Sequence, residues 1–296
     1  MANPLKIIVL AKQVPDTRNV GKDAMKEDGT INRAALPAIY NPEDLNALEQ
    51  ALQLKDACKK QNKEAIVTIV TMGPPRASDV IRESIYRGAD DGVLITDRKF
   101  AGADTLATSY TLAAAVRKLG ADVIIAGRQA IDGDTAQVGP QVAEKLGYPQ
   151  VTYSEKIEGF DGEIITILRR LDHGVETVTS TLPLVITVTG SADECRPQNA
   201  VRVMKYKHAK TMSEVQDLEQ DYYLSIRECR PELNIRQWGA CDLEVEEIQL
   251  GLSGSPTKVK KIQNIVFASK ESKQLTNSQE DMDALVKELL EAHTIG

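Results

Sequence analysis

Short apolar runs rich in β-branched residues recur along the chain, and each is followed by a polar stretch with helical spacing. Ile7-Ile8-Val9-Leu10-Ala11, Ala65-Ile66-Val67-Thr68-Ile69-Val70, Gly92-Val93-Leu94-Ile95 and Asp122-Val123-Ile124-Ile125-Ala126 predict four strands. Helices are expected over residues 41–59, 77–87, 104–118 and 138–146. In the first of these Asn41 suits the N-cap, Pro42 the first helical position, and Glu43 and Asp44 the positive end of the dipole. Leu45, Leu48, Ala51, Leu52 and Leu54 supply its apolar stripe. Continuous apolar strands alternating with helices predict a parallel sheet covered on both faces.

After Gly147 the pattern changes. Residues 163–170 and 175–181, joined by Leu171-Asp172-His173-Gly174, read as an antiparallel hairpin, and Leu184-Val185-Ile186-Thr187-Val188 as a returning buried strand. From about Gln198 onward the chain is more charged, with modest helices expected over 242–249 and 281–293 and a turn-rich stretch, Gly251-Leu252-Ser253-Gly254-Ser255-Pro256, between them. The expected organisation is an α/β, parallel-sheet nucleotide-binding domain over residues 1–198, carrying an antiparallel hairpin. Residues 199–296 follow as a C-terminal extension or arm.

Composition narrows the function. With 296 residues, 42% of them hydrophobic, the chain can bury a sizeable core. Aromatics make up 4% and the formal net charge is −7, which argues against nucleic acid as a partner, since phosphate binders need a basic face. Cys58, Cys195, Cys229 and Cys241 form no CxxC pair, so reduced thiols are expected. No apolar stretch reaches membrane-spanning length and the start shows no cleavage site; no membrane association and a cytoplasmic location are expected.

Ligands of open parallel sheets bind outside the carboxyl ends of the strands. The segments following the four strands are Lys12-Gln13-Val14-Pro15-Asp16, Met72-Gly73-Pro74, residues 97–105 and residues 127–139, and they are expected to share one crevice. The last is richest. Gly127, Gly133 and Gly139 allow sharp turns and close approach. Gln129, Asp132, Asp134, Thr135 and Gln137 carry groups suited to a ribose or purine edge, and the helix start near Gly139-Pro140 suits a phosphate. The alternative reading is a polar surface loop whose Asp134 or Thr135 caps a helix; the segment is neither GxGxxG nor a Walker loop, so residue types leave both open.

Other constellations carry less. Asp90-Asp91 and the Asp132/Asp134 pair read as solvated loop acids, and no metal site is expected. His173, His208 and His293 stand apart with no nucleophile beside them. Gly251-Leu252-Ser253-Gly254 lacks the spacing of a nucleophile elbow, and Lys258-Val259-Lys260-Lys261 reads as a solvated basic face.

Gly127-Arg128-Gln129-Ala130-Ile131-Asp132-Gly133-Asp134-Thr135-Ala136-Gln137-Val138-Gly139-Pro140 closely resembles the adenine-nucleotide loop of electron-transfer flavoprotein β subunits. Lys12 to Asp16, Asn41-Pro42-Glu43-Asp44, Met72-Gly73-Pro74 and Arg87-Gly88-Ala89-Asp90 agree in order and spacing. So does the signature from Ile167 and Arg169 through Asp172, Gly174, Glu176 and Val178 to Pro183, Val185, Ile186 and Thr187, with His173 as a departure. The resemblance covers roughly residues 5–200 and implies an adenine nucleotide α-hydrolase-like fold.

It also implies an α-subunit partner that carries an electron-transferring FAD. Ordinary β subunits hold structural AMP. Flavin-bifurcating ones hold a second FAD, which accepts the electron pair of NADH. The pair is then divided between an acyl-CoA dehydrogenase or reductase and, in such systems, ferredoxin. Carried over by position, cofactor contacts fall at Leu10, Asn41, Pro42, Glu43, Asp44, Met72 and across residues 123–138. The last range includes Gly127, Arg128, Gln129, Ala130, Ile131, Asp132, Gly133, Asp134, Thr135, Gln137 and Val138. Gly133, Asp104, Thr105 and the 251–257 turn look like the bifurcating group, which favours FAD over AMP. Arg128 is expected to tune the flavin. The dehydrogenase-docking loop falls near Asp193-Glu194-Cys195-Arg196-Pro197, only partly in the family's pattern.

Overall fold

The computed structural model describes residues 3–16, 36–216, 228–257 and 274–291. The Lys258 to Lys261 cluster and His293 lie outside the described residues. In chain order the first strands are β1 (Leu5–Leu10), β2 (Gln13–Pro15), β3 (Ala38–Tyr40), β4 (Ala65–Met72), β5 (Asp91–Ile95) and β6 (Val123–Gly127). They are followed by β7 (Gln150–Phe160), β8 (Ile164–Leu171), β9 (Gly174–Thr181), β10 (Leu184–Val188) and β11 (Arg236–Trp238). The helices are α1 (Pro42–Lys60), α2 (Ser78–Arg87), α3 (Thr105–Leu119), α4 (Val138–Leu146), α5 (Ala200–Tyr206), α6 (Met212–Gln216) and α7 (Gln279–Glu291).

Among the described residues, nine strands form one sheet in the order β11-β5-β4-β1-β6-β10-β7-β8-β9, while β2 and β3 make a separate antiparallel ribbon. The sheet is parallel from β11 to β7 and turns antiparallel through β8 and β9. Side chains alternate across each strand and so feed two cores. Ile7, Val9, Val67, Ile69, Val123, Ile125, Leu184 and Ile186 join Leu48, Leu52, Ile81 and Ile85 of α1 and α2. Ile8, Leu10, Val70, Val93, Ile124 and Val185 join Leu112, Val116 and Val142 of α3 and α4 on the other face. This is the mostly parallel, doubly covered α/β sheet that the apolar runs imply.

Some expectations need correction. Residues 242–249 form no α-helix; two short 3₁₀ turns, Ala240–Asp242 and Glu247–Gln249, flank extended backbone instead. The Glu246 N–H that a helix would use donates to the Tyr110 hydroxyl at 3.0 Å, and Leu243 and Leu250 turn into the α3 side of the core. β7 escapes the alternation rule because its pairing with β8 shifts register twice and Tyr153 adopts a left-handed φ of 59°. Gln13 to Pro15 leave the strand-end crevice to pair with β3. After residue 198, β11 extends the sheet beyond β5, and Leu233, Ile235, Ala240, Leu243 and Leu250 are buried in the two cores. α7 buries none of its residues among the described ones. No helix of the described residues is long and apolar enough to cross a membrane.

Candidate functional site

β1 sits between β4 and β6, so successive crossovers run to opposite sides of it. At such a switch point the loops splay apart and leave a crevice. A cavity of about 700 Å³ lies there, lined by the strand ends at Leu10, Val70, Met72, Ile95 and Ala126. Phe100 and Leu112 add to its apolar part, and Lys12, Asp97, Arg98 and the 127–139 loop to its polar part. Of the residues expected from the sequence, Leu10, Asp44, Met72, Asp104, Thr105, Gly127, Arg128, Gln129, Ala130, Gly133, Asp134, Thr135, Gln137 and Val138 line this cavity. Asn41, Pro42, Glu43, Ile131 and Asp132 do not. Val70, Ile95 and Leu112 were missed, because apolar strand ends and a helix core position carry no chemical signal; only their place at the strand tips marks them.

The loop is built as a tight turn. Gly133 and Asp134 donate to the Ala130 carbonyl at 3.2 and 2.9 Å, and Gln129 Nε2 donates to Asp134 Oδ1 at 3.0 Å. Asp134 and Ala136 adopt left-handed φ values of 50° and 53°, uncommon for residues with a side chain. At Gly133 a Cβ would meet nothing within 4 Å, and its φ is not in the left-handed range, so the fold itself does not demand glycine there.

The first turn of α1 grips this loop from behind. Asn41 is not a side-chain N-cap; its Nδ2 donates to the Gln129 carbonyl at 2.9 Å and its Oδ1 accepts from Ile131 N at 3.2 Å. Glu43 accepts from Arg128 Nη2 at 3.0 Å and from Gln129 N at 2.9 Å. Asp44 accepts from Lys12 N at 2.8 Å and Gly127 N at 3.0 Å. Burial pushes the Asp44 carboxyl up to about 7, against the lowering pull of those two N–H groups, Asn41 and the Lys12 ammonium. Lys12 Nζ also pairs with Asp132 at 2.7 Å. The Arg128 guanidinium, tied to Glu43, lies 5.8 Å from the centre of the Tyr153 ring.

Two helix N-termini border the cavity. Asp104 caps α3, accepting from Leu106 N at 2.9 Å and Ala107 N at 3.0 Å, while its other oxygen accepts from Thr257 N at 3.0 Å. Burial opposes ionisation of Asp104, but those N–H groups hold its carboxyl below the usual range. Its own N–H donates to Ser255 Oγ at 2.8 Å, which fastens the 251–257 turn to this wall. Gly251 is required there, with φ 49° and a Cβ that would come 2.8 Å from the Ala101 carbonyl. No side chain caps α4, whose opening residues Val138 and Gly139 line the cavity. Thr105 Oγ1 donates to Gln137 Oε1 at 2.9 Å and joins the two helix starts. An uncapped helix start on a cavity wall is suited to an anion, and the apolar strand-end floor to a ring system.

The other candidates lie away from this cavity. Asp90 binds Lys55 and Val67 N, and Asp91 binds Arg236 and Gly92 N. No group of three or more His, Cys, Asp or Glu that could hold a metal gathers among the described residues. His173 and His208 are exposed. Around Cys195, Arg196 chelates buried Glu49 and pairs with Asp56, while burial pushes the Cys195 thiol up to about 11.

The Electron transfer flavoprotein domain matches residues 28–215. Among curated proteins, the electron transfer flavoprotein subunit beta of Clostridium acetobutylicum is 45% identical over 257 residues, 87% of each chain. The acryloyl-CoA reductase electron transfer subunit gamma of Anaerotignum propionicum is 52% identical over 186 residues, 62% of this chain and 67% of that one. A subunit of the caffeyl-CoA reductase-Etf complex of Acetobacterium woodii is 40% identical over 256 residues, 86% of each. With a switch-point cavity walled by the 127–139 loop and relatives that match most of its length, the chain belongs to the electron transfer flavoprotein family, on the side of its β subunits.

Proposed function

We propose that the chain binds FAD in the switch-point cavity and, with an α subunit, takes electrons from NADH and bifurcates them. One share goes toward an acyl-CoA dehydrogenase or reductase and the other toward ferredoxin. The observation that carries this reading is the cavity itself. At about 700 Å³ it extends past the 127–139 loop to the apolar floor of Val70, Ile95, Phe100 and Leu112, more room than AMP alone needs. When bound there, FAD would supply the two-electron chemistry that the side chains lack. The chain's own residues hold it: uncapped Val138 and Gly139 N–H groups for the diphosphate, Gln129 and Asp134 for ribose hydroxyls, and open space at Gly133 for close approach. Arg128, held by Glu43 at the loop's start, would set its guanidinium near the ring and favour the reduced, anionic form. The relatives named for acryloyl-CoA and caffeyl-CoA reductase systems support an acyl-CoA reductase as the electron acceptor. Exposed Met282, Leu285, Val286 and Leu290 of α7 support a C-terminal extension that wraps the α subunit. Four free thiols suit a reducing cytoplasm.

Co-expression with the α subunit, followed by counting released flavin and nucleotide per heterodimer, tests the reading. Two FAD is the expected result. One FAD with one AMP supports the ordinary, non-bifurcating β subunit instead, and no flavin overturns the proposal.

A further inference from the structure

We propose that Asn41, Glu43 and Asp44 are positioning residues that hold the 127–131 backbone in its nucleotide-binding shape before any ligand arrives, with the Asp44 carboxylate making that shape sensitive to pH. The proposal rests on the reading that this loop cradles a nucleotide. For Asn41 and Glu43 it departs from the simpler expectation that the side chain touches the ligand itself, while Asp44 both holds the loop and lines the cavity. Asn41 is fully buried and Glu43 does not line the cavity, and the polar atoms of both are turned onto the loop. Within one helical turn, three side chains take Gly127 N, Gln129 N, the Gln129 carbonyl and Ile131 N, together with Lys12 N on the facing strand end. A Cβ at Gly127 would come within 2.8 Å of the Glu43 carbonyl carbon, so the backbone is seated directly against the helix. A loop fixed in this way does not lose its freedom a second time on binding, which is how preorganisation raises affinity.

Asp44 is the pH-sensitive part. Both of its oxygens accept backbone N–H groups, bonds that are strongest to the ionised carboxylate. Protonation removes the charge that strengthens both bonds and leaves one oxygen a poorer acceptor. Burial sets this change near neutrality, with its carboxyl pushed up to about 7. The charged and titratable groups around it are Glu43 on the same helix, Lys12 at the end of β1, Asp132 and Arg128 on the loop, and the Tyr40 hydroxyl of β3. Lys12 and Asp132 pair with each other, Arg128 with Glu43, and Tyr40 with Ser84. Tyr40 is pushed up by burial and stays protonated. Burial thus brings the Asp44 carboxyl, at the centre of this bonded cluster, into the neutral range.

The test is nucleotide binding to the full-length chain, with FAD followed by its fluorescence and AMP by calorimetry. FAD carries no phosphate that titrates between pH 6 and 8, so its profile reports the protein. In the wild type the FAD Kd should rise about tenfold between pH 8 and pH 6, following the ionised fraction of a group near 7. Asp44→Asn should bind weakly at both values and lose the slope. At pH 8, Glu43→Gln and Asn41→Ala should each weaken AMP about tenfold or more, since each leaves a loop group without its partner. A pH slope retained in Asp44→Asn, or unchanged AMP affinity in Glu43→Gln, overturns the proposal. Should Asp44→Asn not fold, Glu43→Gln decides alone. A wild-type chain that binds neither FAD nor AMP instead overturns the nucleotide reading, and the clamp with it.

Discussion

Gly127 and Gly133 belong to one loop, yet a methyl group would meet very different surroundings at the two. At Gly127 it would press on the Glu43 backbone, whereas at Gly133 it would stand in open cavity. Gly127→Ala should therefore cost about 1–3 kcal/mol of stability by overpacking, seen as a lowered melting temperature. Gly133→Ala should melt like the wild type but retain less nucleotide after purification, because the added methyl occupies ligand space alone. Arg128→Ala should shift the reduction potential of the flavin in the purified heterodimer and suppress NADH oxidation. An unaltered potential and rate would remove Arg128 from the mechanism. The sequence showed Asn41, Glu43 and Asp44 as helix-start residues and as family-pattern contacts. It could not show that their side chains reach residues of the 127–131 stretch, because such partners, far apart in the chain, are set by packing and leave no local pattern.

At the scale of elements, periodicity worked where a segment also begins on a recognisable cap or turn. α3 and α4 came out nearly as expected because each has a recognisable start, Asp104 at one and Gly139-Pro140 at the other. It failed at 242–249, where buried Leu243 and Leu250 belong to an extended crossing rather than a helix stripe. β7 was invisible because its register shifts disturb the two-residue alternation. Leu250 lets the crossing be weighed: it is 2% exposed and packs in the α3 core, so Leu250→Ala should cost about 2–5 kcal/mol, measurable by denaturant unfolding. Asp104→Ala should cost about 1 kcal/mol for the lost cap. It should also release the 251–257 turn, raising amide hydrogen exchange at Thr257.

For the whole molecule, the meeting of strand ends at one crevice was legible because it follows from topology. Once the strands are parallel, their carboxyl ends must gather on one side, and Met72, Asp104 and Gly127 are brought together although far apart in sequence. The path of residues 228–257 was not legible, since a short edge strand and two turns give no periodic signal. α7 shows the opposite case, an amphipathic pattern with nothing of its own chain to cover it among the described residues. Replacing Leu285 and Val286 with Glu should leave the melting of the isolated chain unchanged but weaken heterodimer formation in size-exclusion chromatography.

The far edge of the sheet carries one more consequence. Among the described residues β9 is the last strand in the order, and most of its residues are exposed. A strand left unaccompanied in this way offers a row of peptide groups to any chain that arrives, including a misfolded copy of itself. Overproduced on its own at rising levels, this chain should pass increasingly into the insoluble fraction.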